Sequence, residues 1–327
     1  MTIFDPIQVA SLTIPNRIVM PPMVCFNWSF DGHPSQHHIK HYALRAAAGT
    51  GLIIVEATAI DPTLKLHECQ MGLWDDKFIP DFRKLTDAVH QYDSKILLQI
   101  HAHAFKPETV TAGRLAGIVR AYSDAAGRAI QAGFDGIELH GAHGYLLDRF
   151  NNPNQRADAW GVPGALSKRV IAAIRDKYPD LLIGYRFGAN APTLEQGCIL
   201  AKELEQAGVQ LLHISSSGYG TGNIEKLRSA HDGSPYSGIL HLGMEIKKHV
   251  SIPVIGVYGV RTAQQAEPLV AQGLLDMIAV GRAHLADAAW TAHARDGVYL
   301  TCLDCKPRCH WYTQPEKCPH YAKNTGA

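Results

Sequence analysis

Three residue sets in this chain are of types and spacing that could do chemistry. The first is His140, His143 and Tyr145, in the run Leu139-His140-Gly141-Ala142-His143-Gly144-Tyr145. Two imidazoles and a phenol so close together suit work near neutral pH: N–H bonds to a developing oxyanion, with a proton donor beside them. Two other accounts stay open, core histidines satisfied by backbone or zinc ligands, although no carboxylate or cysteine ligand is evident nearby. The second set is Cys302, Cys305, Cys309 and Cys318, four of the seven cysteines gathered near the end of the chain. Thiolates at such spacing suit a tetrahedral metal or an iron–sulfur cluster more than disulfides. The third is Gly256-Val257-Tyr258-Gly259 with Gly281-Arg282. Glycines let backbone N–H groups approach a phosphate, and an arginine adds charge-assisted bonds.

These residues need elements to position them. Apolar, β-rich runs recur at 17–23, 51–58, 95–102, 136–143, 182–189, 211–217, 253–259 and 277–283. Most are continuous rather than alternating, which marks strands buried on both faces of a parallel sheet. Helical patterns separate them at 36–48, 79–92, 114–132, 166–178, 194–207, 238–249, 262–271 and 285–294. Gly133, Gly208 and Gly273 follow three of these patterns as stop signals. Eight β-then-α units predict an α/β fold, a (β/α)₈ TIM barrel, with an open parallel sheet as the alternative. The expected organisation is a barrel over residues 1–300 and a short cysteine-rich C-terminal extension over 301–327. In a barrel, function gathers at the C-terminal ends of the strands, and the loops after strands seven and eight hold phosphate. Gly259, Gly281 and Arg282 fall on those loops.

Composition narrows the function classes. The chain has 327 residues, 46% hydrophobic and 19% charged, which fits a folded enzyme rather than a disordered chain. A formal net charge of +1 offers no electrostatic footprint for nucleic acid or an anionic membrane. No apolar run is long enough for a transmembrane helix. The N-terminus lacks the basic and apolar regions of a signal peptide, so a cytoplasmic location is expected.

Several blocks together resemble the Old Yellow Enzyme family of NADH:flavin oxidoreductases. Asn16-Arg17-Ile18-Val19-Met20-Pro21-Pro22-Met23 is similar to its first strand, and Ile54-Val55-Glu56-Ala57-Thr58-Ala59 to its second. The run from Gly133 through His140, His143 and Tyr145 to Leu147 resembles its active-site strand closely. The resemblance covers about Phe4 to Ala294, in order. It implies an FMN-dependent ene-reductase that takes its electrons from NAD(P)H. Pro22, Met23, Val24 and Ala57 would then lie against the flavin, Gln99 would bond its pyrimidine edge, and Arg186 would stabilise negative charge on the reduced ring. Gly259, Gly281 and Arg282 would hold the phosphate. His140 and His143 would bind the oxygen of an enone or related α,β-unsaturated compound, and Tyr145 would protonate the α-carbon.

The resemblance has departures. A cysteine near the flavin in one branch aligns with Val24, and Cys25 stands one place later. The stretches 106–114 and 151–166 are short for the family, which implies an open site. Cys302-x₂-Cys305-x₃-Cys309 resembles the [4Fe–4S] motif of the 2,4-dienoyl-CoA reductase branch, with Cys318 as fourth ligand; zinc is the alternative. That branch lacks the His-Gly-Ala-His pair and feeds its cluster from a second flavin domain, for which this chain ends too soon. Rival readings are a dihydrouridine synthase-like barrel, opposed by the near-neutral charge, and an electron-transfer flavoprotein using a C-terminal [4Fe–4S] cluster. A flavin- or metal-binding protein without turnover is a third. An aldolase-type barrel is opposed by the lack of a lysine at a strand end. The expected partners are a small alkene substrate and a nicotinamide cofactor, with a homo-oligomeric state and neither nucleic acid nor membrane.

Overall fold

Every one of the eight apolar runs becomes a strand. The computed structural model describes residues 1–103, 105–153, 156–219, 224–306 and 309–320; the remainder of the expected extension, 321–327, lies outside them. A short antiparallel hairpin comes first, β1 (Ile7–Val9) and β2 (Leu12–Ile14). The barrel strands follow: β3 (Ile18–Met20), β4 (Leu52–Ala59), β5 (Lys95–His101), β6 (Gly136–Gly141), β7 (Leu182–Gly188), β8 (Leu211–Ser215), β9 (Val254–Val257) and β10 (Met277–Ala279). They pair in parallel, in sequence order, and β10 returns to β3 to close the barrel. A closed parallel barrel has no open edge, so the alternative of an open sheet is excluded.

The period of two along each strand sorts the apolar residues into two cores. Val19, Leu52, Ile54, Leu97, Leu182, Leu211, Ile255 and Met277 fill the barrel interior, and Val9 and Ile14 of the hairpin close its floor. Their neighbours Ile18, Met20, Ile53, Val55, Ile96, Leu98, Ile183 and Leu212 face outward against the helices. This is why the runs read as continuous. Toward the C-terminal ends the inward positions turn polar: Gln99 and His101, Glu138 and His140, Arg186, then His213 and Ser215. All are buried.

The helices are α1 (Gln36–Ala47), α2 (Ile79–His90), α3 (Ala112–Gln131), α4 (Leu146–Phe150), α5 (Ala165–Lys177) and α6 (Leu194–Gln206). Then come α7 (Ile224–Arg228), α8 (Gly238–Lys247), α9 (Ala263–Ala271), α10 (Arg282–Ala286) and α11 (Trp290–Asp296). Side-chain caps start α3, α6, α8 and α9: Thr111, Thr193, Ser237 and Thr262 each accept from the backbone N–H three residues on. Gly133 and Gly208, at φ +86° and +111°, end α3 and α6 in the left-handed region that favours glycine.

Two expectations need correction. The single helix at 285–294 is two helices, α10 and α11. Asp287 breaks it: its carboxylate accepts from Ala289 N at 3.1 Å and Leu300 N at 3.0 Å, which holds the chain extended between them. The runs at 17–23 and 277–283 contain strands of three residues each, because the chain leaves the barrel early to build its rim. The tail packs on that rim. Trp311 is buried with Cys25, Trp28 and Leu285, and Phe26 N donates to Tyr312 O at 3.1 Å.

Candidate active site at the barrel mouth

The polar layer sits at adjacent register positions. His140 pairs with Arg186 and Arg186 with His213, so three strands present charge-bearing groups at one level. Gln99 pairs with Glu138. The side chains join into one chain of bonds. Gln99 Nε2 donates to Glu138 Oε1 at 2.7 Å, and His213 Nδ1 stands 2.8 Å from Glu138 Oε2. Arg186 Nη1 lies 2.7 Å from His213 Nε2. Burial, with Arg186 next to it, pushes the imidazole of His213 down to about 4, so it is neutral. One tautomer of His213 satisfies both of these contacts: Nδ1–H donates to Glu138 and Nε2 accepts from Arg186. Burial lowers Arg186 to about 10, which leaves it charged at neutral pH. Its Nε is buried without a hydrogen-bond partner among the described residues.

A second chain runs beside the first. His101 Nδ1 lies 3.1 Å from His140 Nδ1, His140 Nε2 lies 3.1 Å from His143 Nδ1, and His143 Nε2 lies 2.7 Å from Ser215 Oγ. Burial pushes His101 and His143 down to about 3 and His140 well below its ordinary value, so all three imidazoles are neutral. Tyr145 stacks edge-on to His101 and tilts against His140, at ring separations of 4.5 and 4.8 Å. Burial raises its phenol to about 12, so it keeps a proton to give.

His143 and Tyr145 lie beyond the strand, on a loop that must be held. His143 adopts φ +62°, strained for a side chain of its size. Asp148 holds the loop. Its Oδ2 accepts from Gly144 N at 2.6 Å, Gly218 N at 2.9 Å and Ser217 Oγ at 2.9 Å. That ties the loop after β6 to the loop after β8. The two backbones meet so closely that a Cβ on Gly218 would fall 2.6 Å from Gly144 Cα. Burial pushes the Asp148 carboxyl up to about 6, against the pull of these donors.

Across the mouth, Pro22, Met23, Arg186, Gly259, Gly281 and Arg282 line a cavity of about 670 Å³. Arg261 lines it too. Both arginines reach one carboxylate: Arg261 Nη2 lies 2.8 Å from Asp304, and Arg282 pairs with the same side chain. Asp304 belongs to the cysteine loop, between Cys302 and Cys305. Those two cysteines, with Cys309 and Cys318, line a small neighbouring cavity that also touches Arg282. Burial, and then the neighbouring thiols, raise Cys309 and Cys318. All four are free thiols. Among the described residues no group of three or more His, Cys, Asp or Glu stands close enough to hold a metal ion. The thiols converge on one cavity without forming a coordination shell.

The sequence-predicted residues thus separate. His140, His143 and Tyr145 come together. Gln99 joins Arg186 through Glu138 and His213 rather than lining the phosphate cavity. Ala57 is buried on β4, where its carbonyl accepts from Gln70. Val24 is half-buried and does not line the cavity. Cys25 is turned away, with its thiol raised by burial and its N–H on Glu56 Oε1 at 3.0 Å. Sequence reasoning missed Glu138, His213, His101, Ser215, Asp148, Arg261 and Asp304. Glu138 had a signal, a charge within an otherwise apolar run; Asp304 had none, since its partners lie far off in sequence. Among the described residues no helix is long and apolar enough to cross a membrane.

Residues 2–110 and 102–301 match the profile of the NADH:flavin oxidoreductase / NADH oxidase family. The chain is 37% identical to the NADH oxidase of Thermoanaerobacter brockii, over 94% of this chain and 53% of that protein. It is 29% identical to the NADPH dehydrogenase of Listeria innocua, over 86% of this chain and 90% of that one. Among solved structures it resembles a 2-naphthoyl-CoA reductase in complex with 2-naphthoyl-CoA, with a TM-score of 0.84 and 21% identity, over 94% of this chain and 54% of the other. The chain therefore spans about half the length of the first and third of these proteins.

The Asp148 clamp makes a pH prediction. A carboxyl pushed by burial up to about 6, above the ordinary range for an aspartate, binds its proton more tightly in the folded state. Stability then falls as pH rises through that window and levels off above it, by about 3 kcal/mol from this group. Asp148→Asn keeps an acceptor for the three donors and cannot ionise. Urea unfolding at a series of pH values should show the wild type losing stability relative to Asp148→Asn between roughly pH 4 and 6.

Proposed function

The chain belongs to the NADH:flavin oxidoreductase / NADH oxidase family, and on that footing we propose that it is an FMN-dependent NAD(P)H oxidoreductase that reduces activated C=C bonds, in enones and related α,β-unsaturated compounds. One observation carries this reading. A glycine–arginine cavity and a buried, charged Arg186 lie across the same barrel mouth as His140, His143 and Tyr145.

The residues fit FMN. The 670 Å³ cavity has Gly259, Gly281, Arg261 and Arg282 for the phosphate, and Pro22 and Met23 on its wall. Arg186 has an unpaired Nε. Gln99 donates its amide N–H to Glu138, so its carbonyl oxygen is left to accept from a ring N–H. Val24, in the loop after β3, and Ala57, on β4, complete the proposed contacts. FMN held there would supply the hydride chemistry that links NAD(P)H to the β-carbon of the alkene. Arg186 presents positive charge where negative charge would collect. His140 and His143 are neutral donors that meet the enone oxygen as it gains charge, a stabilisation greater in the transition state than in the ground state. Tyr145 holds its proton until the α-carbon needs it.

The cysteine cavity supports a second element, a thiolate site for a [4Fe–4S] cluster or for zinc. Four thiols share one cavity beside Arg282, and such loops close around a metal as it binds.

Four sets of variants check these assignments. Arg282→Ala removes a charge-assisted bond worth roughly 1.5–3 kcal/mol, so fluorescence titration should show FMN bound at least tenfold more weakly. His140→Ala and His143→Ala should slow reoxidation by an enone by about 10²–10³ in stopped flow, while reduction by the nicotinamide changes less. Tyr145→Phe should keep binding of phenols and lose alkene protonation; wild-type reoxidation rates in both histidine variants would refute the site. Elemental analysis should find iron or zinc near one site per chain, lowered in Cys305→Ser, with the tail becoming more protease-sensitive; metal-free protein with a resistant tail refutes the thiolate site.

A further inference from the structure

His101 is fully buried at the end of β5, next to a catalytic pair in which it has no assigned part. Its Nδ1 faces His140 Nδ1 at 3.1 Å, and its Nε2 is buried with no hydrogen-bond partner among the described residues. Two nitrogens at hydrogen-bond distance share one hydrogen, so only two arrangements of the chain are consistent. In one, His140 donates from Nδ1 to His101, which must then carry its own hydrogen on Nε2. That buries an N–H with no acceptor. In the other, His101 donates from Nδ1 to His140, and only a lone pair on Nε2 goes unmet. Orphaned buried N–H groups are the rarer and costlier case. The second arrangement has a consequence further along. With its Nδ1 accepting, neutral His140 must carry its hydrogen on Nε2, the nitrogen that points to His143 at 3.1 Å. His143 then accepts on Nδ1 and carries its hydrogen on Nε2, toward Ser215 Oγ at 2.7 Å.

We infer that His101 is a positioning residue that fixes His140 as an Nε2–H donor, so that the pair presents a proton rather than a lone pair to an anionic oxygen. The identity of the hydrogen on one ring nitrogen is set by the bond the other makes. Here the setting group is a third histidine rather than a carboxylate or a backbone carbonyl, and it adds no charge to the site. The inference rests on the reading of His140 and His143 as the site for the substrate oxygen. Its packing also explains why a ring is needed: Tyr145 lies edge-on to His101 at 4.5 Å.

The test uses FMN-loaded protein and 4-hydroxybenzaldehyde, a phenol whose oxygen mimics an enolate. His101→Phe keeps a ring against Tyr145 and removes the donor; His101→Asn places an amide N–H near the position of Nδ1. His101→Phe should bind the phenol about tenfold more weakly, and His101→Asn should recover most of that loss. Wild-type affinity in His101→Phe, with affinity lost in His140→Ala, overturns the inference and leaves the site reading standing. Wild-type affinity in both His140→Ala and His143→Ala overturns the site reading itself. A readout without ligand or flavin guards against misfolded variants. Nitrogen-15 spectra of histidine-labelled wild-type protein, with His140 assigned from its substitution, should show His140 protonated on Nε2. Protonation on Nδ1 overturns the inference.

Discussion

Glu138 is the constraint on which the mouth of this barrel depends. It places a carboxylate at an inward position of β6, almost fully buried, where only close partners make it tolerable. Those partners are Gln99 and His213, and through His213 the Arg186 guanidinium. Removing one member of a buried charge set costs about 3–5 kcal/mol, because the other is left uncompensated. The chain of bonds therefore fixes the tautomer of His213, the facing of the Gln99 amide and the place of Arg186 all at once. The Arg186 guanidinium, proposed above to meet developing negative charge, is held by a strand rather than by a loop.

The barrel geometry converts this into a layered interior. Below, apolar side chains from seven of the eight barrel strands and from the hairpin fill the space; above, the same alternation brings polar groups inward. The step from Leu97 to Gln99 and His101 shows it along one strand. The functional groups on the strands are thus continuations of the core. Those on loops, His143 and Tyr145, depend on the Asp148 clamp, and the phosphate-side arginines depend on Asp304. Rigidity grades from strand to loop around the same mouth.

Much of this was legible in the sequence, and the limits have physical causes. The eight strands, seven of the eight helical patterns, and the grouping of His140, His143 and Tyr145 follow from apolar period and spacing. Helix eight was misread because Asp287, an ordinary polar residue in a helical pattern, turns its carboxylate to the backbone of Ala289 and Leu300 and leaves the helix. Glu138 and His213 were overlooked because runs buried on both faces hide the period of two that would have marked them as inward. His101 was missed because its contact to His140 crosses between strands. The cysteines were recognised as a group from spacing alone, whereas their approach to Arg282 depends on a salt bridge to a residue distant in sequence.

That salt bridge also bears on how anions enter. Two guanidiniums, Arg261 and Arg282, share one carboxylate, so the cradle presents a surplus of one positive charge rather than two. On the proposed reading of this cavity as the FMN phosphate site, an incoming phosphate would share these cations with Asp304 or displace it. Either way the conformation of the cysteine loop and the occupancy of the cradle enter one equilibrium. By reciprocity, whatever folds that loop into a new arrangement alters the grip on phosphate by the same factor that phosphate alters the loop. The two cavities, which share Arg282 in their linings, would then behave thermodynamically as a single device.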